Sequence, residues 1–251
     1  MPAQQAPAGD TPATGDDKAQ VSLWERLARP APAPRTTLTP QRIAEAAVAI
    51  ADSEGLDAVT MRRLAGALGV APMAAYRYVS GKDELIELMV DFAYGRLPLD
   101  EPAEGWRDAM RSLAVHLRAM TLAHPWTVLA ATPFSLSPNQ LAVPERAFAV
   151  LAEHGLDADT TMAVFRTVTG YVHGSVAAEV TLENLRRERG WSDGDETRAG
   201  LAPRMSWLMG TGRYPSYQRY LDEATRKDDP DWQFETGLDC VLDGIAAHFG
   251  I

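Results

Sequence analysis

Cysteine is nearly absent: Cys240 is the single one in 251 residues. No disulfide can form within the chain, which suits a reducing compartment, and a lone thiol of this kind is expected as a small buried apolar residue. Long apolar runs are also missing. No stretch approaches the roughly 18 residues needed for a membrane-spanning helix, so neither a membrane anchor nor a membrane partner is expected. Met1 to Gln20 has no basic segment followed by an apolar one, so it does not read as a secretory signal. A cytoplasmic location is the expectation. Strand-like alternation is scarce, and no glycine-rich phosphate loop follows a strand.

Basic charge is in short supply as well. Lys and Arg number 24 against 34 Asp and Glu, giving a formal net charge of -10. A protein that coats nucleic acid is thereby disfavoured, because phosphate contacts need cations. Yet Ala58 to Lys82 carries Arg62, Arg63, Arg77 and Lys82 and no acidic residue. A local basic window in an acidic chain suits sequence-specific DNA recognition. Catalytic apparatus is lacking too. None of the five histidines (His116, His124, His154, His173, His248) has metal-ligand spacing, and no nucleophile–base pair or cofactor loop is visible. The chain is expected to be no enzyme and to need no metal or cofactor.

What remains is helical. Residues 1–37 read as a tail with a semi-rigid Pro30-Ala31-Pro32-Ala33-Pro34 run. Within it Val21 to Leu27 has the pattern of one amphipathic turn, either docked on the body or free; Arg29 and Arg35 read first as part of a solvated tail, and as minor-groove contacts if the segment acts as an arm. Thr39-Pro40 starts a helix that Gly55 stops, with Ile43, Ala47 and Ile50 on one face. Thr60 caps a short helix broken at Gly69, and a third runs from about Pro72 to Tyr78. Ser80-Gly81-Lys82-Asp83 has capping-box spacing and opens a fourth. Further helices are expected over Trp106–Ala123, Leu141–Glu153, Asp157–Arg189 and Asp231–Phe249. Trp126–Ala131 reads as a short helix at most, Trp191–Thr197 as a polar turn, and Leu201–Met209 and Tyr217–Thr225 as weaker helices. The expectation is an all-α chain of nine or ten helices.

The strongest signal lies between Thr60 and Tyr78. Two short helices crossing steeply need a small residue at the contact (Ala65), a tight turn (Gly69) and apolar locks (Leu64, Leu68, Val70, Ala75). These are the parts of a helix-turn-helix. The surrounding text from Leu38 to Phe92 resembles the DNA-binding domain of the TetR (tetracycline repressor) family, through Gly55, Thr60 with Arg62, Leu68-Gly69-Val70, Tyr76 with Tyr78, and Lys82 with Leu85. From Trp106 onward the chain is more weakly similar to the tetracycline-repressor type of C-terminal domain.

The resemblance implies a DNA-binding domain over 38–96, a helical sensing and dimerisation domain over 97–251, and a ligand-responsive repressor bound as a homodimer to a palindromic double-stranded operator. A constitutive or activating DNA-binding protein is the alternative. It implies that Pro72, Met73 and Ala74 enter the major groove, where Met73 and Ala74 meet thymine methyls but cannot read guanine. Arg62 is then the candidate guanine contact. Tyr76 takes a base or a phosphate, Tyr78, Lys82 and Thr60 take phosphates, and Arg77 faces the groove or an acidic neighbour. The dimer would form from about Asp157–Arg189 and Asp231–Phe249, where Phe165, Val168, Val172, Val176, Val180, Leu238, Val241, Leu242 and Ile245 offer more apolar surface than one small core needs. The effector pocket would draw on Leu113, His116, Leu117, Met120, Trp126, Phe134, Phe165, Thr169, His173 and Trp207. In the tetracycline repressor an Asn and a His hold the drug's magnesium. Leu113 stands at the Asn position and no His lies near Val128–Pro133, so a small organic effector other than tetracycline–magnesium is expected.

Overall fold

The computed structural model describes residues 21–29, 38–99, 103–130 and 136–251. Helix is the only regular secondary structure among them, in the order α1 (Leu23–Ala28), α2 (Pro40–Glu54), a 3₁₀ turn (Leu56–Ala58), α3 (Met61–Leu68), α4 (Pro72–Ala75), α5 (Lys82–Tyr94), α6 (Trp106–Ala123), α7 (Thr127–Ala130), α8 (Pro138–Ala152), α9 (Ala158–Arg189), α10 (Gly194–Gly210), α11 (Pro215–Glu223) and α12 (Pro230–Phe249). The described residues thus hold more helices than the nine or ten expected, because α1 and α7 are too short to show a full apolar period. α4 ends three residues early. α10 begins within the segment expected to be a turn, since Asp193 caps it by accepting the Glu196 N–H at 2.8 Å.

Side-chain caps set half of the α-helix starts. Thr39 accepts the Arg42 N–H (3.2 Å), Thr60 that of Arg63 (3.1 Å) and Asp157 that of Thr160 (2.8 Å). The Ser80 capping box does not form. Gly81 is the N-cap of α5, without a side-chain cap bond. Glu84 instead reaches back to accept the Ser80 N–H at 2.6 Å, four residues away rather than three.

Two apolar clusters result. The first joins α1 to α5 around Ile43, Leu64, Val79, Leu85 and Met89, and also takes in Trp126 from beyond α6. The second joins α6, α8, α9 and α12 around Met110, Leu151, Val168, Phe234 and Leu238. Tyr94, at the end of α5, packs against both clusters, and burial raises its pKa. α5 also meets the start of α8: the buried Asp91 carboxylate accepts the Asn139 backbone and side-chain N–H groups, each at 2.8 Å.

A row of ion pairs zips α6 to antiparallel α12: Arg107 to Asp243 (2.5 Å), Arg111 to Glu235 (2.7 Å) and Asp239, and Arg118 to Asp231 (2.7 Å). Arg118 also binds Glu179 of α9 through two 2.9 Å bonds and lies 4.8 Å above the Phe234 ring. Bonding to Glu179 raises its already high pKa. Gly237 lets Tyr171 cross α12, because a Cβ there would collide with the Tyr171 hydroxyl, which donates to the Phe234 carbonyl at 2.7 Å.

Two expectations need correction. Cys240 is exposed on α12 rather than buried, because the inward face of that helix is taken by Phe234, Leu238, Leu242 and Ile245. The valines at 168, 172, 176 and 180 are not spare apolar surface either. They lie at most 7% exposed inside one chain, in the four-residue spacing that packs α9 on α6 and α12.

Candidate nucleic-acid interface and effector cavity

The amphipathic turn near Trp24 is docked. Leu23 is buried, Trp24 Nε1–H donates to Glu87, and Arg26 forms a two-pronged bridge to Glu84 (2.8 and 2.6 Å). That bond, first among several causes, holds the Glu84 carboxyl down at about 2. Arg35 lies outside the described residues.

In the helix-turn-helix, Gly69 adopts φ 65° and ψ 33°, a left-handed geometry that a Cβ would penalise. It folds the chain so that Val70 N–H donates to the Ala65 carbonyl at 3.1 Å. α4 is then held by buried Ala75 and Val79, which aims Pro72, Met73, Tyr76 and Arg77 outward. Met73 is 73% exposed. Ala74 is half-buried and Lys82 is exposed. Beside them α3 presents an open hollow of about 390 Å³ lined by Thr60, Arg62, Arg63 and Gly66.

The N-terminus of an eight-residue helix, with its unpaired N–H groups and two guanidiniums, makes a favourable seat for phosphate. Arg63 is engaged with Glu54 of α2 at 2.5 Å, whereas Arg62 is exposed and has no ion-pair partner among the described residues. The Tyr78 hydroxyl donates to the Leu38 carbonyl at 2.8 Å. Its proton is spent on fixing the segment ahead of α2, which leaves only oxygen lone pairs for an outside partner.

In the second cluster a small cavity of about 30 Å³, room for one water, lies between α6 and α8. Leu113 and His116 line it. Met110, Ser112, Val143, Arg146 and Ala147 join them; Ser112 and His116 are one helical turn apart with Oγ and Nδ1 at 3.2 Å, a pairing visible in the sequence but overlooked. Arg146 gives no such signal, since its relation to α6 is a matter of helix packing.

The remaining expected residues scatter. Leu117 is buried one turn beyond the cavity and Met120 packs beside it. Phe165 meets Phe148 edge-on at 5.8 Å. Thr169 spends its hydroxyl on the Phe165 carbonyl at 2.9 Å. His173 is exposed on α9, Trp207 is 71% exposed on α10, and Trp126 sits in the first cluster. Phe134 lies outside the described residues. No group of three metal-ligating side chains occurs among the described residues, and no helix there is long and apolar enough to cross a membrane.

The fold and the exposed turn-bounded pair of short helices define a class. Residues 43–89 match bacterial regulatory proteins of the tetR family, and residues 97–249 match the tetracyclin repressor-like C-terminal domain. The chain belongs to the TetR family of bacterial transcriptional regulators. It is 35% identical over 243 residues to the HTH-type transcriptional repressor DrrR1 of Streptomyces coeruleorubidus, covering 94% of this chain and 88% of that protein. An HTH-type transcriptional regulator of Saccharopolyspora erythraea is 34% identical over 221 residues, 85% of this chain and 87% of that one. The crystal structure of ActR from Streptomyces coelicolor in complex with actinorhodin superposes with a TM-score of 0.69 at 27% identity, covering 85% of this chain and 97% of that one.

Proposed function

We propose that the chain is a cytoplasmic, ligand-responsive repressor in which residues 38–96 bind a palindromic operator, residues 97–251 sense a small organic molecule, and two copies act together. The observation that carries this reading is the exposed Thr60–Arg62 edge of α3 beside an outward-facing α4, in a chain of this family. Arg62 is the guanine reader, Thr60 and Lys82 hold phosphates, and Pro72, Met73, Ala74, Tyr76 and Arg77 fill the groove. Tyr78 contributes as an acceptor and as a brace for α4. The outward faces of α9 and α12, with exposed Gly170, Gly174, Cys240 and Gly244, support close approach of a second copy.

A drug-sized ligand needs roughly 300–1,000 Å³, far more than the 30 Å³ between α6 and α8. Binding at this site therefore requires those helices to part, and a ligand held there favours a shape different from this one. Such unequal affinity is the source of release. ActR, which has been crystallised with actinorhodin, makes an organic effector the natural expectation here too.

Fluorescence anisotropy on labelled duplexes flanking the chain's own gene tests the proposal. A saturable, salt-sensitive rise is expected, and a compound that raises the melting temperature of the free protein should weaken that binding. A chain that ignores every such duplex would refute it.

A further inference from the structure

The corner between α6 and α7 is joined to the DNA-binding unit by polar bonds that lie outside both the α3 hollow and the cavity between α6 and α8. Asp52, on the last turn of α2, accepts the Trp126 Nε1–H at 2.7 Å and bonds His124 Nδ1 at 2.9 Å. An ionised carboxylate only accepts, so Nδ1 carries the proton. Asp52 also sits near the negative end of the α2 dipole, an unfavourable place for a carboxylate without such donors.

The two donors come from a rigid site. His124 is the C-cap of α6, its carbonyl accepts both the backbone N–H (2.9 Å) and the hydroxyl (2.7 Å) of Thr127, and Trp126 is 3% exposed, buried among the residues of the DNA-binding core. α6 thus lines the effector cavity at His116 and grips α2 at His124, about 12 Å further along its axis at 1.5 Å per residue. The α2 end is itself tied forward, since Glu54 holds Arg63 of α3 at 2.5 Å.

We infer that Asp52, with His124 and Trp126, is a positioning cluster that fixes the angle of the helix-turn-helix to the sensing helices and thereby sets the half-site spacing the dimer accepts. The cluster contacts neither base nor effector. It works because the end of α2 carries the sensor corner on one side, through Asp52, and α3 on the other, through Glu54. α5, held to α8 at Asp91–Asn139, supplies the second attachment. With both in place the unit has one orientation; with the Asp52 attachment gone it swings about α5.

The inference rests on the operator reading above, so its test measures spacing rather than binding alone. A palindrome is first selected from random duplexes with the wild-type full-length chain. Failure of that selection would count against the functional reading itself and would remove the proposal with it. Affinities are then measured for the selected palindrome and for duplexes with one base pair added or removed at its centre. The wild-type chain should lose about tenfold per altered base pair, the scale of a single lost specific contact.

Asp52→Ala and Trp126→Phe should flatten this profile to less than about threefold. Trp126→Phe removes the donor and keeps a smaller aromatic ring in the buried site, while Asp52→Ala removes the acceptor at a different residue, so an effect shared by both variants at wild-type helix content is not a folding defect of either. A merely structural role would lower the melting temperature and leave the profile unchanged. A wild-type profile in Trp126→Phe and in folded Asp52→Ala would overturn the proposal.

Discussion

The helix-turn-helix and the sensing bundle solve opposite problems. In the first, the outward side chains are presented by short-range devices: the Thr60 cap, the left-handed Gly69 and the buried Ala75 and Val79 within 20 residues of one another. In the second, the joints between helices are long-range. The small cavity forms where α6 meets α8 and the segment ahead of α6, and the ion pairs between α6 and α12 join residues more than 100 positions apart, such as Arg107 and Asp243. A surface for reading DNA must stay open and fixed, whereas a bundle that responds to a ligand must be closed yet separable.

The sharpest way to break this contrast is to damage one region and watch the other. Phe234 is 1% exposed at the centre of the second cluster. Phe234→Ala should cost about 3–5 kcal/mol of stability, and hydrogen exchange should show α6, α9 and α12 loosening more than α3 and α4. Equal loosening everywhere would mean a single cooperative unit.

Arg62→Ala makes the converse cut. It should lose about 1–3 kcal/mol of operator affinity in a binding titration, with the melting temperature unchanged. Gly69→Ala tests the turn itself. Forcing a Cβ into φ 65° should cost about 1–2 kcal/mol, seen in chemical denaturation.

The smallest effect is expected at α1. Arg26→Ala removes a partly exposed pair worth about 1 kcal/mol or less. The Glu84 pKa is depressed to about 2. The contribution of the pair is therefore complete above the ordinary carboxylate value near 4.3 and fades as pH falls from there toward 2. Trp24 fluorescence in the wild type, compared with Arg26→Ala, would follow that loss.

The same contrast explains how legible the chain was. The helix-turn-helix could be read at residue level because its parts act through neighbours: Thr60, Ala65, Gly69 and Ala75 each do what their type and spacing dictate. The all-α fold and the long helices followed from caps and period. Ser80 misled because the capping box presumes a three-residue offset, while Arg26, brought in by the docked tail, pairs with Glu84, the residue that does cap. Cavity residues were legible only along α6, where Leu113 and His116 share a face. Trp126 read as a pocket aromatic because nothing local reveals that its partner is Asp52. Trp207 read as a pocket residue, yet it is 71% exposed on α10, which buries only Thr197.

The account depends most on two copies of α4 presented together. Native mass spectrometry of the full chain with the selected palindrome measures this directly. Two chains per duplex are predicted, together with a free protein that is already dimeric. A single chain bound per palindrome, or a monomer at micromolar concentration, would contradict it.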